Sequence, residues 1–192
     1  FRIGPQTGIL DWYTILSGVT SATFLLHHGA LWLVAKTDGR VQQHARQAAT
    51  WLWIGSIGLT LVIFIASWYV QPLARTSFSE TPWKIILPLA AVLSLLASGY
   101  LRWKNKNMPA FLSSGLFIYL VIFSGAMAIY PNILPGLNPE HHLTIYNTSP
   151  GPEKLTTTLY WWIPGILLVG VYFTILFRSL PAVISASSED DH

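Results

Sequence analysis

Five stretches of this chain carry no formally charged side chain: residues 12–35, 47–74, 85–101, 107–139 and 155–177. The Asp, Glu, Lys and Arg residues cluster between them. A helix of about 20 apolar residues crosses the roughly 30 Å hydrocarbon core of a bilayer. One Lys, Arg or Asp at its centre costs about 2.5 kcal/mol or more. Withholding charge five times in succession names lipid as the solvent. Composition agrees, since 52% of the side chains are hydrophobic and 10% are charged. A soluble domain of this size needs a charged skin, roughly 25% of its residues. The nine Trp and eight Tyr suit the membrane–water boundary, and Trp12, Tyr13, Trp68, Tyr69, Trp103 and Tyr130 fall where a boundary is expected.

The pattern predicts an all-α integral membrane helix bundle with about five transmembrane helices, a four-helix bundle plus one extra helix. It reads as a single transmembrane helical domain over residues 1–192, with spans at about 9–35, 48–70, 84–101, 110–130 and 157–180. Lys36, Asp38, Arg40 and Arg46 form the first polar loop, with Gly39 as a turn residue. The segment LARTSFSETP is a polar link before the third span. That span has 17 uncharged residues, about 25 Å at 1.5 Å rise, so its flanking Lys84 and Arg102 are expected to snorkel to the headgroups. Pro109 opens the fourth helix. Five of the twelve prolines fall between residues 131 and 152, which disfavours helix there and favours extended or turn geometry. Small residues at Gly18 and Ala22, Ser94 and Ser98, and Ser124-Gly125-Ala126 are placed for close helix packing.

The basic residues also orient the chain. With the Lys36–Arg46 loop in the cytoplasm, alternation puts seven Lys and Arg on that side and four on the other. Basic residues favour the inner side, so the N-terminus is expected outside and the C-terminus inside. The net charge of +3 follows from these loops. No basic stripe interleaved with stacking aromatics accompanies it, so nucleic acid is not an expected partner. With no Cys, thiolate metal sites and disulfides are excluded. The chain begins at Phe1 without a signal-peptide pattern, and it reads as the later part of a longer polypeptide.

Few residues offer chemistry. His27 and His28 are the histidines inside a span, and imidazole is the usual haem axial ligand. Neighbouring helix positions point about 100° apart, so the two cannot serve one iron. Met127 lies near the outer end of its span and pairs poorly with them. His44, His141, His142 and His192 fall in loops or the tail. The plain reading of His27 and His28 is hydrogen bonding within the bundle. Asp11, at the start of the first helix, is read as an acid complementing the helix dipole rather than as a transport carboxylate. Glu140, His141 and His142 are a weak zinc pattern in a Pro-rich loop. No catalytic, cofactor-binding or metal-ligating residue is assigned.

Two stretches carry a resemblance. In the first, an apolar helix meets the small-residue step Gly29-Ala30, then Lys36-Thr37-Asp38-Gly39, then Arg46. In the second, a helix with Ser113-Ser114 near its start ends at Tyr130-Pro131. Leu143-Thr144-Ile145-Tyr146-Asn147 and Ser149-Pro150 follow. Together they resemble the C-terminal half of subunit II of cytochrome bd-type quinol oxidases. The resemblance implies an accessory, non-haem-ligating subunit of a prokaryotic plasma-membrane complex that oxidises quinol and reduces O2 to water. Haem b and haem d would belong to the partner subunit I, which this chain would stabilise. The N-terminal half of subunit II, if separate, would be a second partner, alongside membrane lipid. The proton-route acids of that subunit lie mostly in its N-terminal half, so none is carried onto a position here. Two other readings stay open: part of a small permease or ion transporter, from the Pro- and Gly-containing helices, and a haem-binding membrane anchor.

Overall fold

The computed structural model describes residues 11–134 and 142–179. Six α-helices and one small hairpin follow in order: α1 Trp12–Lys36, α2 Gly39–Val70, α3 Pro72–Glu80, α4 Ile86–Trp103, α5 Asn107–Ile129, β1 Asn132–Leu134, β2 Leu143–Thr144 and α6 Pro152–Ser179. A 3-10 turn, Pro82–Ile85, leads into α4. The chain divides into two compact units, one ending at Ile129 and the other beginning at Tyr130.

Among the described residues, four helical segments are long and apolar enough to cross a membrane: Gly39–Val70, Pro82–Trp103, Asn107–Ile129 and Pro152–Ser179. The fifth expected span, α1, is 25 residues long, about 37 Å at helical rise. Its mean hydropathy is drawn down by His27, His28 and five Ser and Thr side chains. The hydroxyls of Ser17, Thr20, Ser21 and Thr23 each donate to the carbonyl four residues back, which satisfies them within the helix.

Helix boundaries differ from the sequence expectation in three places. The polar loop after α1 is only Thr37 and Asp38, because Gly39, at φ +59°, turns the chain in the left-handed region that favours glycine. Arg40, His44 and Arg46 therefore stand on α2. The polar link is itself helical, α3, begun by Pro72 at its first position, where the missing N–H is harmless. Finally, α6 starts at Pro152, ahead of the expected 157.

In the first unit, α1 buries Thr20, Phe24, His27, Leu31 and Val34, a stripe at helical spacing. Phe24 meets Phe117 of α5 edge-on, with ring centroids 4.7 Å apart. Ala91 and Leu95 of α4 close this cluster. Leu31 packs with Ala49 of α2 and Ala110 of α5 in a second one. Ser94, Ser98 and Ser124 are buried as expected of packing residues. Gly18, Ala22, Gly125 and Ala126 are exposed instead, because they lie off the buried stripes of their helices.

The second unit holds the hairpin and α6. Strands β1 and β2 pair antiparallel, the extended geometry expected of the Pro-rich segment. Glu140 and His141 lie outside the described residues, as do Leu180, where the last span was expected to end, and His192. Asn147 folds the LTIYN stretch back on itself: its Oδ1 accepts from Thr144 N at 2.7 Å, and its Nδ2 donates to His142 O at 2.8 Å.

Candidate functional site

Two polar groupings join several helices of the first unit. One is a buried belt of His, Ser and Trp across four helices. The other is a pair of arginines at one end of α2 and α4.

The belt starts at the two adjacent histidines, which diverge as helical geometry requires. His27 Nε2 meets Ser98 Oγ of α4 at 3.3 Å, and the side chain is 1% exposed. His28 Nδ1 meets Ser114 Oγ of α5 at 2.7 Å. Ser98 donates to Leu95 O at 2.8 Å and Ser114 donates to Phe111 O at 2.7 Å. Each hydroxyl has one proton, so each accepts from the imidazole. The network thus assigns the Nε2–H tautomer to His27 and the Nδ1–H tautomer to His28. Trp53 of α2 donates from Nε1 to the same Leu95 carbonyl at 2.9 Å. Ser113 of α5 donates to Ser94 O of α4 at 2.8 Å. Lipid offers no hydrophobic drive for helices to associate, so close packing and such interhelical bonds hold the bundle.

This geometry does not bring the two histidines to one iron. The two imidazoles leave one helix toward two different neighbours, and each spends a nitrogen on a serine. His28 also stacks on Phe111, centroids 4.3 Å apart. Among the described residues no cluster of three or more His, Asp or Glu stands close enough to hold a metal ion. His44 is exposed on α2. Met127 is half-buried on α5, where its carbonyl accepts from Ser77 Oγ at 3.5 Å.

Asp11 is the N-cap of α1. Its Oδ1 accepts from Thr14 N at 2.7 Å, and its own N–H donates to Thr14 Oγ1 at 3.0 Å, a capping box. The Thr14 N–H holds the Asp11 carboxyl below its ordinary range, because that bond favours the charged form.

At the other end of the unit, Arg46 joins α2 to the α4–α5 turn. Its Nη1 donates to Asn105 Oδ1 at 2.9 Å and its Nη2 to Asn107 Oδ1 at 3.3 Å. Arg102 Nη1 donates to Arg46 O at 3.2 Å and to the Thr50 hydroxyl. Lys84, expected to snorkel, is 6% exposed and donates to Ser77 Oγ of α3 at 2.6 Å. The unforeseen α3 covers it. Sequence reasoning singled out His27, His28, Ser98, Ser114 and Arg46, but not Trp53, Thr50 or Asn105. No periodic signal marks those three: the rotation of α2 turns Trp53 and Thr50 to their partners, and Asn105 is placed by the exposed α4–α5 turn.

Comparison with known proteins supplies the context. The family described as cytochrome bd terminal oxidase subunit II matches residues 2–180. A relative from Haemophilus influenzae named "Probable cytochrome oxidase subunit 2" is 26% identical over 194 aligned residues, covering 85% of this chain and 50% of its own length. "Cytochrome bd ubiquinol oxidase subunit 2" from Bacillus subtilis is 27% identical, covering 74% of this chain and 42% of its own length. The chain thus spans about half the length of the curated relatives it matches.

Proposed function

The chain belongs to the cytochrome bd terminal oxidase subunit II family, and from that premise we propose that it is the accessory, non-haem-ligating part of a terminal oxidase complex. The complex would oxidise quinol and reduce O2 to water, with haem b and haem d held by a partner subunit I. This chain would serve as the membrane-embedded support on which that partner is stable. The observation that carries the reading is the belt: His27 and His28, the histidines within a span, are built into interhelical hydrogen bonds with Ser98 and Ser114. Their role is to hold α1 against α4 and α5.

The protein is a multi-pass membrane protein. We place it in a prokaryotic plasma membrane, with α1 as a fifth span and with the N-terminus outside and the C-terminus inside. Within the first unit, Lys36, Arg40, Arg46, Arg102, Lys104 and Lys106 stand at one end, and Arg75 and Lys84 at the other. That asymmetry favours the first end facing the cytoplasm.

The test is spectroscopic. The purified complex carrying His27→Ala or His28→Ala should keep its haem-to-protein ratio and its reduced-minus-oxidised spectrum. Removing this chain should cost O2 consumption through loss of assembled subunit I. A b-type spectrum from this chain alone, abolished by either substitution, would overturn the assignment.

A further inference from the structure

A cleft of about 700 Å3 opens between α2 and α4 at the basic end of the first unit. Arg46 lines it from α2 and Arg102 from α4, and no Asp or Glu stands among its described lining residues. Among the described residues, every hydrogen-bond acceptor these two guanidiniums reach is neutral: a backbone carbonyl, the Thr50 hydroxyl and the amides of Asn105 and Asn107. Neither positive charge is thereby neutralised. Among the described residues, the buried Nε of Arg102 has no hydrogen-bond partner. A guanidinium pair of this kind matches an oxyanion, above all a phosphate, whose oxygens accept several N–H bonds at once.

Beyond the arginines the lining turns apolar, through Trp53, Leu96 and Tyr100. On α4, Leu89, Leu93, Leu96 and Tyr100 are all exposed. Their spacing puts them on one face, an apolar stripe about 16 Å long. A soluble anion would satisfy the guanidiniums and have no use for the stripe. A neutral quinone would use the stripe and bring no charge to two cations. An anionic headgroup with an attached acyl chain uses both.

We propose that this cleft holds an anionic phospholipid, with its phosphate between Arg46 and Arg102 and an acyl chain lying along the α4 stripe. Lys36, Arg40, Lys104 and Lys106 at the same end of the unit add to the field that draws such a lipid in. The proposal needs only that the protein sits in a membrane, so it can fail or stand independently of the oxidase reading.

The test uses the full-length protein in the complex with which it purifies, delipidated in detergent. It is titrated with photoactivatable phosphatidylglycerol and with phosphatidylcholine bearing the same chains. Cross-links are mapped to α2 and α4 peptides, and inorganic phosphate and the membrane quinone serve as competitors. Phosphatidylglycerol is expected to label these peptides at least about ten-fold more efficiently than phosphatidylcholine. Arg46→Gln, which spares the Arg102–Thr50 contact, is expected to abolish most of that preference. Equal labelling by the two lipids, or an undiminished preference in Arg46→Gln, overturns the proposal. So does competition by inorganic phosphate at equal concentration, which makes the occupant a free anion, or selective displacement by quinone, which makes it a neutral ring. If Arg46→Gln does not assemble, the lipid preference and the two competitions in the unmodified complex decide the question without it.

Discussion

The indole of Trp53 fills the space that a side chain at residue 99 would need. A Cβ built on Gly99 would stand 2.3 Å from Trp53 Cε2 and 2.4 Å from Cζ2, well inside contact distance. Trp53 cannot easily withdraw, because its Nε1–H is committed to Leu95 O on the same helix as Gly99. Gly99 is therefore where the Trp53 ring of α2 lies against α4, and both residues line the arginine cleft.

Gly99→Ala should destabilise the assembled protein despite the better helix propensity of alanine. Overpacking of this kind costs about 1–3 kcal/mol, more than the roughly 1 kcal/mol that alanine gains over glycine in a helix. Thermal unfolding in detergent checks the sign. Adding Trp53→Ala should relieve the clash, so the second substitution should cost less in the Gly99→Ala background than in the unmodified protein. Additive costs would mean that the ring already lies elsewhere.

Two buried serines, Ser114 of α5 and Ser56 of α2, should respond in opposite ways. Ser114→Ala removes the acceptor of His28 Nδ1–H and leaves that donor stranded. In membrane bundles such interhelical bonds contribute about 0.6 kcal/mol on average and up to about 1.7, so a loss in that range is expected. Ser56 is fully buried and its hydroxyl has no hydrogen-bond partner among the described residues. Ser56→Ala discards an unsatisfied polar group and should be neutral or stabilising. Equal losses at both positions in equilibrium unfolding would contradict the role given to His28.

These sites differ in how far the sequence announced them. The spans α2, α4, α5 and α6 were legible because burying a charge in lipid is costly wherever it happens, and charge-free length records that directly. The orientation of each helix about its axis was not. A helix that is apolar all round has no moment to point inward, so nothing marked Thr20, Phe24 and His27 as the buried face of α1 or left Gly18 and Ala22 outside. Helix α3 escaped notice because nine residues, four of them Ser, Thr or Glu, lack an apolar repeat. The fate of Lys84 followed from that omission. His27 and His28 were legible as hydrogen-bonding residues, but their partners depend on which helices stand beside α1, which local spacing does not encode.

The start of α1 should be sensitive to acid through Asp11. Its carboxyl titrates below the ordinary 3.8 because the Thr14 N–H stabilises the charged form. A group with a depressed native pKa contributes stability that is complete above its unfolded pKa and disappears as pH falls through the native one. Amide protection in the first turn of α1, measured relative to the intrinsic exchange rate at each pH, should therefore be complete at pH 6 and fall below about pH 4. Asp11→Asn should flatten that dependence. An unchanged acid response in the Asn variant would assign it to another carboxylate.

Helix α3 should be held in place by the ammonium beneath it. Lys84 Nζ donates to Ser77 Oγ at 2.6 Å in a 6% exposed position, and Ser77 Oγ reaches on to Met127 O of α5. One serine thus links the entrance of α4, the middle of α3 and the end of α5. Ser77→Ala deprives a buried cation of one acceptor, a loss of about 1.5–3 kcal/mol for hydrogen bonds to charged groups. The loss should be local first: amide exchange along Pro72–Glu80 should rise before the α4 and α5 amides respond, because α3 has no buried residue of its own. Ser77→Thr keeps the hydroxyl and should retain most of the protection. If Ser77→Ala leaves α3 exchange unchanged, or the threonine variant loosens it as much as alanine does, the bond does not anchor the helix.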